Sequence, residues 1–199
     1  MKSKKGSAFE RKFCKELSLW WTLGEREDIF WRSSNSGGRA TVRAAAGKTT
    51  SGQYGDVAAI DPLGVPFLNL VTIELKRGFS QFTIQDVFDK KNQAAQQEWS
   101  KWYEQTVISA NNAGSHSWLL ITRRDQRDPL VYCPTIFHEE LCKQGCFTVE
   151  PSPFMEFTCL VRTATPTIDK CPSLTMMRWD DWRSGVSPKR IEQLIERTK

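Results

Sequence analysis

Hydrophobic positions near the start of the chain repeat at helical spacing. Phe9, Phe13, Leu17 and then Trp20 or Trp21 fall three or four residues apart, which predicts an amphipathic helix from about residue 8 to 21. Ser7 stands before it as an N-cap, and Glu10, three residues later, completes a capping box. Ile29-Phe30-Trp31 reads as a short strand. From Ser33 to Gly55 the chain is rich in Gly, Ser, Thr and Ala with basic residues spaced through it, the pattern of a mobile, solvated loop. Asp56 to Ile60 is a second short strand, Asp61-Pro-Leu-Gly64 a turn, and Phe67 to Lys76 a β-rich run, so the two flanking segments are predicted to pair as a hairpin. A long helix follows from about Ile84 to Ala110, with Gly114 just past its end. Ser117 to Thr122 and Pro129 to Cys133 read as strands.

Beyond Pro134 the pattern is weaker. Thr135 to Gln144 suits a short helix, Cys146 to Glu150 and Phe154 to Arg162 suit strands, and Trp179 to Trp182 suits packing plus a turn. Ser187-Pro188 places a cap before a proline at the first helical position, leading into Ile191 and Leu194. The order helix, strands, helix, strand predicts an α/β core over residues 1–133. An α+β extension over residues 134–199, packed on that core, is expected to follow.

Composition narrows the class. Apolar residues make up 39% of the 199, with eight Trp and eleven Phe, enough to bury a core. No apolar run approaches the roughly 18 residues of a membrane span. The charged N-terminus lacks the apolar stretch of a signal peptide. A cytoplasmic protein is expected, its six cysteines thiols. The net charge of +5 suits a polyanion partner, and its distribution sharpens that reading. Lys2, Lys4, Lys5, Arg11 and Lys12 crowd the start, and Arg32, Arg39, Arg43 and Lys48 run on with no acid from there until Asp56.

Candidate chemistry lies on the predicted hairpin. Glu74 and Lys76, two apart on a strand, point to one face, while Val71, Ile73 and Leu75 take the other. An acid and a lysine in so apolar a run need partners if they are buried. Asp56 opens the neighbouring strand, where pairing can set its carboxylate beside Glu74. Two carboxylates with nearby carbonyl oxygens form a hard oxygen site suited to Mg²⁺, or to Mn²⁺ in its place. Such an ion lowers the pKa of water and offsets charge on a phosphate, and Lys76 is placed to orient or deprotonate the water. These are the requirements of phosphodiester hydrolysis.

On these residues the chain resembles the PD-(D/E)xK nuclease superfamily, most of all its archaeal-type Holliday junction resolvases and related phage nucleases. Lys5-Gly-Ser-Ala-Phe-Glu-Arg11 looks like their N-terminal signature. The resemblance spans about residues 4–123 and implies a restriction-endonuclease-like core of helix, mixed central sheet and helix. It implies Asp56 and Glu74 as metal ligands, Glu10 as a third acid from the first helix, and Lys76 as the catalytic lysine. For Glu10 the capping box remains the competing role. Gly55 stands where the family name has proline. Related nucleases carry a glutamine on the helix after E-x-K, and Gln96, in Gln96-Gln-Glu-Trp99, fits that pattern best. Ser33, Ser34 and Ser36 lie where such resolvases carry a serine in a flexible loop. With that loop folding onto phosphates, the expected DNA-contacting set is Lys5, Arg11, Arg32, Ser34, Arg39, Arg43 and Lys48.

The resemblance implies a Mg²⁺-dependent endonuclease, phage-encoded or cellular, acting on branched DNA as a homodimer. A restriction-like or repair enzyme on ordinary duplex, and a non-catalytic DNA-binding protein of the same fold, are the competing classes. Two other patterns are set aside. Gly47-Lys48-Thr49 lacks the first glycine of a phosphate loop, which Val42 replaces. Cys133, His138, Cys142 and Cys146 lack the Cys-x-x-Cys knuckle of a zinc site.

Overall fold

The computed structural model describes residues 4–33, 54–78, 93–149, 153–159, 161 and 165–197, with the backbone alone at Lys4, Lys5 and 93–97. Helix α1 (Lys4–Trp21) leads into β1 (Phe30–Arg32), which pairs antiparallel with β2 (Val57–Ala59). A 3-10 turn (Pro62–Gly64) and the short helix α2 (Val65–Leu70) then precede β3 (Val71–Arg77). Helix α3 (Gln93–Ala113) crosses to β4 (Ser117–Arg123), and β5 (Leu130–Pro134) and α4 (Thr135–Lys143) follow. The chain continues through β6 (Phe154–Thr158), β7 (Ser173–Arg178), α5 (Trp179–Gly185) and α6 (Pro188–Arg197). Among the described residues there are six α-helices and a five-stranded sheet of order β3-β4-β5-β7-β6. The β3–β4 pair is parallel and the others antiparallel, so the sheet is mixed, as the restriction-endonuclease-like reading requires.

Strand alternation divides the core in two. Ile73, Leu75, Leu119, Ile121 and Val131 face α1, where they meet Phe9, Phe13, Leu17 and Trp20. Trp118, Leu120 and Tyr132 take the other face and meet Trp99, Trp102 and Tyr103 of α3. The segment after Pro134 enters both layers. β7 lies inside the sheet between β5 and β6, and Trp179 and Trp182 of α5 stack with ring centroids 5.2 Å apart. Trp179 lies 4.7 Å from Phe13, and Trp182 5.2 Å from Trp20.

Three local expectations are corrected. Residues 56–60 and 67–76 do not form a hairpin. Pro62 and Pro66 each open a helical turn, Asp61 Oδ1 accepts the N–H of Leu63 (2.9 Å), and Phe67 and Leu70 bury at helical spacing. β2 therefore turns to β1, and β3 begins only at Val71. Second, α1 starts at Lys4, so Ser7 lies inside the helix and closes no capping box. Third, the strand expected at 146–150 is a single bridge between Phe147 and Val186. The start of the long helix expected from Ile84 lies outside the described residues until 93. Gly114 follows the helix with φ of 66°, a left-handed stop suited to glycine.

Candidate active site

β3 carries the site because of its alternation. Val71, Ile73 and Leu75 are drawn into the α1 layer, which forces Thr72, Glu74 and Lys76 toward α3. Glu74 is only 2% exposed, yet its carboxylate is fully engaged. Ser109 Oγ donates to Oε1 (2.8 Å), and Gln105 Nε2 donates to Oε2 (3.1 Å). Lys76 Nζ donates to the same Oε2 (3.3 Å) and to Gln105 Oε1 (2.7 Å). Acid, lysine and amide thus close a ring of hydrogen bonds, with the serine holding the far oxygen. A buried charge is tolerable only under such saturation.

Asp56 reaches this point without the hairpin. Its backbone N–H donates to the carbonyl of Ile73 (2.8 Å), and its Oδ2 accepts the N–H of Leu75 (2.9 Å). Gly55 makes the approach possible. It takes φ of 78°, and a Cβ there would lie 2.6 Å from the Ile73 carbonyl oxygen. Proline, the family-name residue, cannot adopt that angle. On the other side Ser33 fixes the same turn, its hydroxyl donating to Gly55 O (2.7 Å) and its N–H to Asp56 O (2.9 Å). Held by Leu75, the residue next to Glu74, the Asp56 carboxylate is close enough to act on the Glu74 carboxyl. Burial, and then the charge of Asp56, hold the Glu74 carboxyl well above the usual carboxylate range, against the opposing pull of Lys76.

Glu10 approaches from α1. Its Oε2 pairs with Arg32 Nε at 3.1 Å, a partly buried ion pair. One turn on from Glu10 in α1 stands Cys14, whose thiol is pushed up to about 12, first by burial and then by the carboxylates of Glu10 and Asp56. Glu10 and Asp56 therefore act on one spot, while Glu10 itself is joined to a guanidinium. The structure brings together Asp56, Glu74 and Lys76, and sets Glu10 and Arg32 beside them.

The other expected residues are distributed differently. Arg11 is exposed on α1. Lys5 and Gln96 lie on their helices with side chains outside the described residues. Ser34, Arg39, Arg43 and Lys48 lie outside them altogether, as does the Gly47-Lys48-Thr49 segment. On α3 the side chains seen at Glu74 are those of Gln105 and Ser109, which the sequence reading passed over. Their spacing of four, flanking the buried stripe of Trp102, Thr106 and Ala110, was the available signal. In the cysteine-rich segment His138 Nε2 lies 3.7 Å from Cys142 Sγ, and Cys133 and Cys146 are buried thiols.

Among the described residues no group of three or more His, Cys, Asp or Glu side chains is arranged to hold a metal. The pair Asp56 and Glu74 nevertheless suits a divalent cation of the Mg²⁺ type. A buried and a half-buried carboxyl group close enough to act on each other favour a proton or a cation between them. Mg²⁺ is bound through one or two carboxylates, with water and substrate phosphate oxygens completing its shell.

No curated protein matches the chain, and no solved structure does. A family model described as "Phage putative PDDEXK endonuclease" matches residues 1–193, which includes nearly all of the segment after Pro134. PD-(D/E)xK nucleases in general use divalent metals, in keeping with the carboxylate pair. With an acid-x-lysine strand beside a glycine-borne aspartate and a match of this extent, the chain belongs to the phage PDDEXK endonuclease family.

Proposed function

We propose that the protein is a Mg²⁺-dependent endonuclease that hydrolyses DNA phosphodiester bonds, with Asp56, Glu74 and Lys76 as its working residues. The observation that carries this is the Asp56 carboxylate held on the Leu75 N–H beside Glu74, with a lysine on the same face as Glu74. Mg²⁺ bound there, or Mn²⁺ in its place, supplies a lowered pKa for the attacking water and positive charge for the phosphate. Asp56 and Glu74 hold that charge, and their own repulsion is relieved when they do. Lys76 directs its ammonium at the oxygen that gains charge as the water attacks phosphorus and the P–O bond breaks. Gln105 and Ser109 keep Glu74 in one orientation. Glu10, through Arg32, lines the approach from α1.

A branched four-way junction is the proposed substrate, cut by a homodimer, as the likeness to archaeal-type resolvases implies. A gel assay with Mg²⁺, Mn²⁺ or EDTA on a four-way junction and on linear duplex of equal sequence tests both levels. Metal-dependent cutting of the junction alone supports the full reading. Equal cutting of both overturns the junction and leaves a restriction-like or repair nuclease. Glu74→Ala and Lys76→Ala are expected to abolish cleavage while DNA binding largely persists. Unchanged DNA handling in both variants, with no cleavage by the native chain, points to a non-catalytic DNA-binding protein.

A further inference from the structure

Arginines gather at the end of the sheet next to Lys76. In the parallel register Arg77 stands opposite Arg123, one residue past the pair Lys76 and Thr122, and the Gly78 N–H donates to the carbonyl of Arg123 (3.3 Å). Both arginines continue the positions that β3 and β4 turn toward α1. The Arg123 guanidinium lies over the ring of Phe9, 5.7 Å from its centroid, and Phe9 is the neighbour of Glu10. Its Nε donates to the carbonyl of Arg127 (3.4 Å). Ring and carbonyl fix the planar group from its face and one edge, and among the described residues neither terminal nitrogen has a partner.

The connection onward to β5 is tight. The Arg127 N–H donates to the carbonyl of Arg124 (3.3 Å), and Gln126 takes φ of 58°. A non-glycine residue in that region costs about 1 kcal/mol, so the turn is maintained against a local preference. Four arginines, Arg77, Arg123, Arg124 and Arg127, stand there against two carboxylates, Asp125 and Asp128, while Lys76 is paired with Glu74 at 3.3 Å. Arg77 is paired with Asp125 at 3.5 Å, which leaves the excess on the turn.

Arginine's flat fork matches phosphate, and the carboxyl ends of parallel strands are where open α/β sheets receive ligands. We infer that the Arg123–Arg127 turn is a phosphate-binding rim of the active site, with Arg123 and Arg127 each holding a backbone phosphate of duplex DNA that runs past Lys76. Such contacts fix the register of the duplex without reading bases. The inference rests on the nuclease reading, and the test separates the two.

Binding of a linear duplex by the full chain is followed in EDTA by fluorescence anisotropy, across a series of salt concentrations. Arg123→Gln and Arg127→Gln are compared with Lys143→Gln, which removes an exposed charge paired with Glu139 on α4. Each arginine variant is expected to reduce the slope of log K against log salt by about 1, and their combination by about 2, on any sequence. Lys143→Gln leaves the slope as it was. Arg127 is exposed, so its variant stays informative even if loss of the Phe9 contact disturbs folding in Arg123→Gln. Slopes equal to that of Lys143→Gln, or no duplex binding by the native chain, overturn the rim. Arginine-dependent binding without Mn²⁺-dependent cleavage overturns the nuclease reading and leaves the rim standing.

Discussion

Glu74 is an acid placed where water barely reaches, beside a second acid, and its behaviour with pH follows from that placement. In the metal-free protein its pKa lies above the unfolded value. A raised folded pKa contributes stability below the unfolded pKa, and that contribution is lost as pH rises through the folded pKa. The metal-free protein is therefore expected to melt at progressively lower temperature as pH rises from about 4.5 to about 7. Glu74→Gln should flatten that decline, and calorimetry in EDTA checks it. Gly55 supplies a second test at this scale. Gly55→Pro restores the residue of the family name but not its geometry. It is expected to cost about 3 kcal/mol or more and to lose cleavage, measured by denaturant melts and a plasmid-nicking assay. The sequence displayed Asp56, Glu74 and Lys76 because alternation on a strand needs no tertiary knowledge. Gln105 and Ser109 were hidden, since polar residues flanking a helix stripe resemble a solvated face until the strand beneath is known.

Among the elements, the helices were the most legible and the strand partners the least. Periodicity marked α1, α4 and α6, with the Ser187-Pro188 start in place. It did not show that residues 65–70 coil before β3, because Phe67 and Leu70 serve a helix as readily as a strand and two prolines decide the matter. β7 escaped notice for a related reason. Ser173-Leu-Thr-Met-Met-Arg178 has few strongly β-forming residues, and its place between β5 and β6 comes from pairing on both sides. The Trp179 and Trp182 segment, read as packing and a turn, is a short helix whose rings stack against α1. Trp179 is fully buried, so Trp179→Ala should destabilise by about 3–5 kcal/mol, read from urea melts. A loss below 1 kcal/mol would mean that α5 does not anchor α1.

At the scale of the molecule, the segment after Pro134 is built into the sheet that carries the site. A chain ended after Cys133 would leave β5 an open edge and remove Trp179 and Trp182 from the α1 layer. It is expected to aggregate or to lack cooperative unfolding, which circular dichroism and size-exclusion chromatography would register. Among the described residues no helix is long and apolar enough to cross a membrane. The arginines of the inferred rim lie at the end of β3 and β4 where Lys76 stands, and Trp179 closes the same end of the sheet through its N–H bond to Pro129 O. The proposed function depends on a divalent ion held by Asp56 and Glu74. Anomalous diffraction from crystals soaked in Mn²⁺ tests this most directly. A manganese peak at these two carboxylates, with Lys76 on the same side as Glu74, is expected in the native protein and should be absent in Asp56→Asn. Active, DNA-cleaving protein with manganese bound elsewhere, or none at this pair, would contradict it.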